Sequence, residues 1–352
     1  MDETAKTLVA NGSLSAPSAR ISNQEALALA KTRFDIEGRV KRFDTEKDDT
    51  FRLTSRDGRN YTLKIANAAE DSREISFQID LLAHIAAVDP GLPVPRVVPD
   101  RDCRLQFSYA DSAGQKREVH LLTYLEGVPL SEVTTDARER EKVGEVLGTL
   151  RLATADYSHA ADSREIAWDV KHLLKLAPLL GEIEDPARRG MIEAGLDRFA
   201  SIADRLAKCR IQVLHNDFSK SNIVVDKSDA NFVTGVIDFG DAVRTAVVID
   251  VSTAILNQLP SQGSEDFFAS GCDLLRGYLR VADLTDEELS LLPHLVMARV
   301  VARALLTIWR ARLFPDNAPY IMRNTDQGWQ QLAWFMARSM DRISNEFMIA
   351  AR

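Results

Sequence analysis

Over residues 38–65 the chain alternates apolar and polar side chains, with Phe51 and Leu53 before a D-G turn at Asp57 and Gly58 and with Tyr61, Leu63 and Ile65 after it. A period of two punctuated by that turn predicts an antiparallel meander. Ahead of it, Ser22 can cap a helix whose apolar positions include Ala26, Leu27, Leu29, Ala30 and Phe34. After it, Ile75, Ile79, Leu82 and Ile85 recur at helical spacing across 71–87, and the strand signal returns over 104–109 and 118–125. Five strands with one long helix inserted before the last two make a small α+β unit that ends near Glu126 and Gly127. Helical periodicity dominates beyond that point, over 137–155, 168–180, 186–208, 264–281 and 286–313. One β-rich island interrupts it, where the runs 222–225 and 232–237 flank a polar turn.

Composition narrows the classes of function. The formal charge of −8 repels a phosphate backbone, and the basic residues are scattered among acids, which argues against nucleic-acid binding. No apolar run reaches the eighteen or so residues that a membrane span needs, so no membrane partner is expected. The three cysteines, Cys103, Cys209 and Cys272, stand far apart without a C-x-x-C spacing, as suits a reducing, cytoplasmic compartment. The first twenty residues carry early acid and no apolar stretch behind a basic start, so residues 1–20 are expected to form a loose tail. The six histidines form no zinc-binding pair, and neither a G-x-S-x-G elbow nor a P-loop is present.

The island carries the chemistry. His215, Asn216 and Asp217 are followed five positions after Asp217 by Asn222, and one hairpin later by Asp238, Phe239, Gly240 and Asp241. Phosphoryl transfer asks for a positioned acceptor, cations bridging the phosphates and neutralised charge. Asp217 can orient an acceptor hydroxyl and take its proton, while Asn222 and Asp238 offer the hard oxygen ligands that Mg²⁺ prefers. His215 is expected to steady the loop, since Asp217 already takes the proton. Upstream, Lys64 alternates with the apolar residues of its strand and is placed to meet the α and β phosphates. The turn over 44–50 can cover those phosphates with backbone N–H groups.

These motifs resemble the aminoglycoside phosphotransferase and choline kinase superfamily, and look most like hydroxylysine kinases and their bacterial relatives. The resemblance implies a two-lobed, protein-kinase-like α+β fold, with a small β-rich lobe over 21–126 that binds nucleotide and a larger, mainly helical lobe over 127–352 that binds the acceptor and carries catalysis. It implies Asp217 as base, Asn222 and Asp238 as magnesium ligands, Lys64 as phosphate contact, and ATP or GTP as donor. It also implies a hinge for the base at Thr123, Tyr124 and Leu125, and in Asp250 a buried acid bracing the catalytic loop. Gln78 falls where many relatives have the glutamate that pairs with the phosphate lysine, and Glu74 lies one turn earlier. Asn216 stands where many aminoglycoside kinases have glycine, which favours the hydroxylysine-like branch.

The expected activity is a small-molecule kinase for a hydroxy amino acid or amino alcohol. An aminoglycoside or other antibiotic O-phosphotransferase is the alternative within the class, and a catalytically silent nucleotide-binding module the alternative outside it. An amino acid needs a guanidinium for its carboxylate. The helix over 289–313 supplies Arg299, Arg303, Arg310 and Arg312. Arg299 and Arg303 lie four apart, hence on one face, amid apolar neighbours. A buried arginine there requires an anion, either a structural acid such as Asp241 or the substrate.

Overall fold

The computed structural model describes Leu8 and residues 19–45, 48–260 and 266–351; the expected tail over 1–20 lies almost wholly outside the described residues, as does part of the phosphate-covering turn. The architecture is a β-sheet region followed by a larger helical region. Strands β1 (Gly38–Arg42), β2 (Asp49–Ser55) and β3 (Asn60–Ile65) form the expected meander. Strand β6 (Lys116–Thr123) then pairs antiparallel with β3, and the short β4 (Val97–Val98) and β5 (Phe107–Ala110) both pair with β6. The sheet therefore has six strands where five were expected, because Val97 and Val98 add a two-residue edge too short to carry a pattern.

Ser22 caps the helix Asn23–Phe34 by accepting from the Glu25 N–H. That helix buries Ala26, Leu29 and Ala30 with Phe51, Leu53, Leu63, Ile65, Val119 and Leu121 in one apolar cluster. Leu63 and Ile65 face this cluster, so Lys64 between them must face the opposite side of the sheet. The helix Ser72–Val88 follows β3 and buries Ile75, Phe77, Gln78, Ile79, Leu82 and Ile85.

The connection to the helical region is tight. Gly127 has φ 137°, and a Cβ there would lie 2.6 Å from the Val225 carbonyl oxygen, so only glycine fits the close pass. The Thr234 hydroxyl donates to the Glu126 carbonyl, and β7 (Val128–Pro129) pairs with β9 (Ile223–Val225). β9 pairs with β10 (Val233–Val236), as the island predicts. A second ladder joins β8 (Ile211–Leu214) to β11 (Val243–Ala246), whose short runs carry no periodic signal.

The longer helices are Ala137–Ala153, Pro186–Ala200, Val247–Gln258, Ala269–Val281, Asp286–Leu313, Thr325–Met336 and Met340–Ala351. Two expected helices differ. Residues Val170–Glu182 form 3₁₀ turns through Pro178, which cannot donate to an α-helical ladder, and the 186–208 segment breaks after Ala200. The helix Asp286–Leu313 is capped by a reciprocal Thr285–Glu288 box and buried on nearly every side. By length and composition it is apolar enough to cross a membrane, contrary to the reading of the sequence, but 89% of its apolar window is buried within the protein.

Candidate active site

The three acidic and amide side chains singled out in the sequence emerge at one end of the two small ladders. Asp217 follows β8, Asn222 precedes β9 and Asp238 follows β10. The Ile237 N–H donates to the Asn222 carbonyl at 2.9 Å, closing the strand ends on each other.

The loop around Asp217 is built from within. His215 is buried; its Nδ1 accepts from the Asp217 N–H at 3.3 Å and its Nε2 lies 3.0 Å from the Ile237 carbonyl oxygen. A ring accepting at Nδ1 from the loop and meeting the Ile237 carbonyl at Nε2 ties the loop to the end of β10, so His215 is a strut. Its ring packs against Phe239 at 4.7 Å between centroids. Asn216 adopts φ 61°, a left-handed conformation that glycine and asparagine tolerate best, which accounts for either residue at this position. Its N–H donates to Asp250 Oδ1 at 2.8 Å. Burial pushes the Asp250 carboxyl up to about 6, against the opposing pull of His215 and of the Asn216 bond.

Asn222 Nδ2 donates to both the Asp217 carbonyl, at 3.0 Å, and Asp217 Oδ2, at 2.7 Å. Arg299 Nη2 lies 3.5 Å from Asp217 Oδ1, its Nη1 donates to the Trp168 carbonyl, and its guanidinium stands 5.2 Å from the Trp168 ring centroid. The anion of Arg299 is thus Asp217, where the sequence left open a structural acid such as Asp241 or the substrate. Asp241 lies in the short turn Phe239–Asp241 and forms no ion pair among the described residues. Arg303, one turn along from Arg299, keeps part of its surface exposed and makes no side-chain hydrogen bond or ion pair among the described residues. Burial, then the neighbouring Arg299 charge, pulls its pKa down to about 10 against the opposing pull of Asp217.

Across the cleft, Lys64 Nζ lies 3.2 Å from Asp238 Oδ1 and 4.0 Å from Asp48 Oδ2. Its cross-strand neighbour His120 is buried, and burial, then the Lys64 charge, pushes it down to about 3, so this imidazole adds no positive charge. Gln78 is buried. Glu74 pairs with Arg164 Nη1 at 2.6 Å, an arginine that the sequence reading did not single out because it lies in a segment without periodicity.

The segment after β6 is braced on both sides. The Thr123 hydroxyl accepts from the Arg96 N–H, the Tyr124 N–H donates to the Asn60 carbonyl, and the Arg52 guanidinium covers the Tyr124 ring at 4.3 Å. The Leu125 N–H makes no hydrogen bond among the described residues.

The donor set fits a magnesium-bound nucleotide. With its Nδ2 committed to Asp217, Asn222 has its amide oxygen for a cation, and the Asp238 carboxylate is half exposed. Among the described residues no three His, Cys, Asp or Glu side chains cluster as a metal cage. Mg²⁺ needs no such cage, since it takes one or two carboxylates and completes its shell with phosphates and water.

A family model described as phosphotransferase enzyme family (APH) matches residues 40–285. The chain is 25% identical over 332 residues to hydroxylysine kinase of Mus musculus, covering 88% of this chain and 87% of that protein. It is 25% identical over 232 residues to homoserine kinase of Agrobacterium fabrum (strain C58 / ATCC 33970), covering 64% and 66%. An amicoumacin kinase solved in complex with AMP-PNP, Ca²⁺ and Ami shares the fold with a TM-score of 0.66 and 17% identity, covering 87% of this chain and 94% of that one.

Proposed function

The chain belongs to the phosphotransferase enzyme family, and from that membership we propose that it transfers the γ-phosphoryl group of magnesium-bound ATP or GTP to the hydroxyl of a hydroxy amino acid, hydroxylysine or a close analogue. The observation that carries the acceptor class is Arg303. A partly buried guanidinium with no ion pair among the described residues, one helical turn from the arginine that touches Asp217, suits an acceptor that brings a carboxylate. The curated relatives named for hydroxylysine and homoserine, both hydroxy amino acids, support the same class.

In this reading Asp217 is the base. One carboxylate oxygen accepts from Asn222 and the other faces Arg299, which fixes the plane of the group and aims it at the acceptor hydroxyl. Asn222 and Asp238 hold the magnesium, Lys64 meets the phosphates, and the Leu125 N–H receives the nucleotide base. Held by Asn222 and Asp238, the cation would supply the positive charge that offsets the phosphates. Arg299 positions Asp217, and Arg303 holds the acceptor carboxylate. A silent binding module fits less well, because base, metal donors and phosphate lysine lie around one cleft. The three free cysteines suit a cytoplasmic setting.

The test is acceptor-dependent release of ADP or GDP, run with ATP and with GTP against hydroxylysine, homoserine, other hydroxy amino acids, their carboxylate-free amino alcohols and aminoglycosides. Turnover is expected with a hydroxy amino acid and to be much weaker with its amino alcohol. Preference for an aminoglycoside, or equal rates with and without the carboxylate, would overturn the acceptor assignment.

A further inference from the structure

We infer that Arg164 is a positioning residue that sets Asp238 for its cation and couples that setting to the helix Ser72–Val88. The inference rests on the phosphotransferase reading above for the role of Asp238. The Arg164 side chain is only 6% exposed, and each of its nitrogens is used. Nη1 pairs with Glu74 Oε2 at 2.6 Å. Nε donates to the Ala242 carbonyl at 3.2 Å, and Nη2 donates to the carbonyls of Ala242, at 2.9 Å, and Gly240. The guanidinium also stands 5.7 Å from the ring centroid of Phe77, on the same helix as Glu74. One side chain thus joins the sheet region's helix to the middle and the far end of the turn that begins immediately after Asp238.

That turn needs holding. Asp238 has φ 63°, a left-handed conformation that most side-chain-bearing residues avoid and that aspartate adopts at a cost. Within the turn, the Ala242 N–H donates to the Phe239 carbonyl, and no other backbone bond spans these residues among those described. Arg164 supplies the rest by pinning the Gly240 and Ala242 carbonyls. Lysine cannot replace it, because one ammonium cannot reach an acid on one element and two carbonyls on another with the spread of a planar fork. The partner acid is also distinctive. Glu74 faces an arginine of the helical region, so closing the sheet region onto the site and presenting Asp238 are linked through a single guanidinium.

Arg164→Met, Arg164→Lys and Glu74→Gln distinguish this from simple structural support. Mg·nucleotide binding is read by calorimetry across a magnesium series without acceptor, and hydrogen exchange is read on the ligand-free protein. Arg164→Met and Arg164→Lys are expected to raise the magnesium concentration for half-maximal nucleotide binding by about tenfold or more. Exchange should quicken in peptides covering 238–242, with the acceptor KM within about twofold of the wild type. Glu74→Gln, which leaves the carbonyl contacts in place, should give a smaller magnesium shift and quicken exchange in 72–80 but not in 238–242. It also tests the coupling if an Arg164 variant fails to fold. Unchanged magnesium dependence in folded Arg164→Lys, or a Glu74→Gln protein with neither change, would overturn the inference. A wild-type chain that binds Mg·nucleotide without needing Asp238 would instead sink the reading beneath it.

Discussion

Replacing Arg303 by methionine should weaken the acceptor and strengthen the fold. The guanidinium makes no ion pair among the described residues, and its pKa, pulled down from 12.5 to about 10 by burial and by Arg299 against the opposing pull of Asp217, puts a penalty of about 3 kcal/mol on the charged form at neutral pH. Methionine fills a similar length without that penalty, so the ligand-free variant is expected to be as stable as the wild type or more stable, by about 1 kcal/mol or more. The acceptor complex loses a bidentate contact to its carboxylate. At about 1.5 kcal/mol or more for each hydrogen bond to a charged group, the loss is roughly 3 kcal/mol, or about a hundredfold in acceptor KM. Because the contact serves ground and transition states alike, kcat should fall far less than kcat/KM. A coupled assay of nucleoside diphosphate release, run with the hydroxy amino acid and its carboxylate-free amino alcohol, separates the outcomes. The wild type should prefer the carboxylate by about two orders of magnitude, and the variant should lose that preference. A lower melting temperature with an unchanged acceptor KM, or an equal rise in nucleotide KM, would refute the reasoning.

Asp217→Asn should keep the contact from Asn222 and nucleotide affinity while turnover falls by roughly 10²- to 10⁴-fold; near wild-type turnover would remove Asp217 as the base. Asp238→Ala should abolish the magnesium dependence of nucleotide binding, read by calorimetry, because it removes the one anionic donor among the two assigned to the cation. Asp250→Asn bears on stability: the folded-state carboxyl titrates near 6 against 3.8 as its ordinary value, so stability present below about pH 4 is lost as pH rises through 6. Asparagine keeps an oxygen for the Asn216 N–H without that charge, and melts between pH 4 and 7 should favour the variant increasingly, by up to about 3 kcal/mol; a constant difference across that range would count against it.

What the sequence made legible was local. Leu63 and Ile65 facing one cluster leave Lys64 no choice of face, and the hairpin β9–β10 returns Asp238 to the level of Asn222 whatever the rest of the chain does. The long helix over 286–313 was readable from its periodicity alone. The partners of charged residues were not, because an ion pair is decided by packing between elements far apart in sequence. Glu74 sits where a lysine partner was sought but meets Arg164, ninety residues away, and Arg299 meets Asp217 where Asp241 was considered. The β8–β11 ladder was missed for a related reason: two four-residue runs pair only because the intervening loop and hairpin fold between them.

The departures from local rules gather around one carboxylate. Asn216 holds a left-handed backbone and a fully buried amide whose Nδ2 and Oδ1 have no partner among the described residues. Asp250 beneath it is a buried acid, Asp238 opposite is left-handed, and Arg303 is a cation with no ion pair among the described residues. Left-handed residues cost on the order of 1–3 kcal/mol each, and an unpaired buried polar group costs a similar amount. A chain selected for stability alone has no reason to place four such residues within reach of Asp217. A chain that must hold a base, a metal donor and an anion site ready before the substrates arrive does, because the strain is offset by the packed helices around it and the empty valences are filled only in the complex. The same placement accounts for the opposite signs expected at Arg303 and Asp217: one variant relieves the ligand-free fold, the other leaves it nearly untouched, and both impair the reaction.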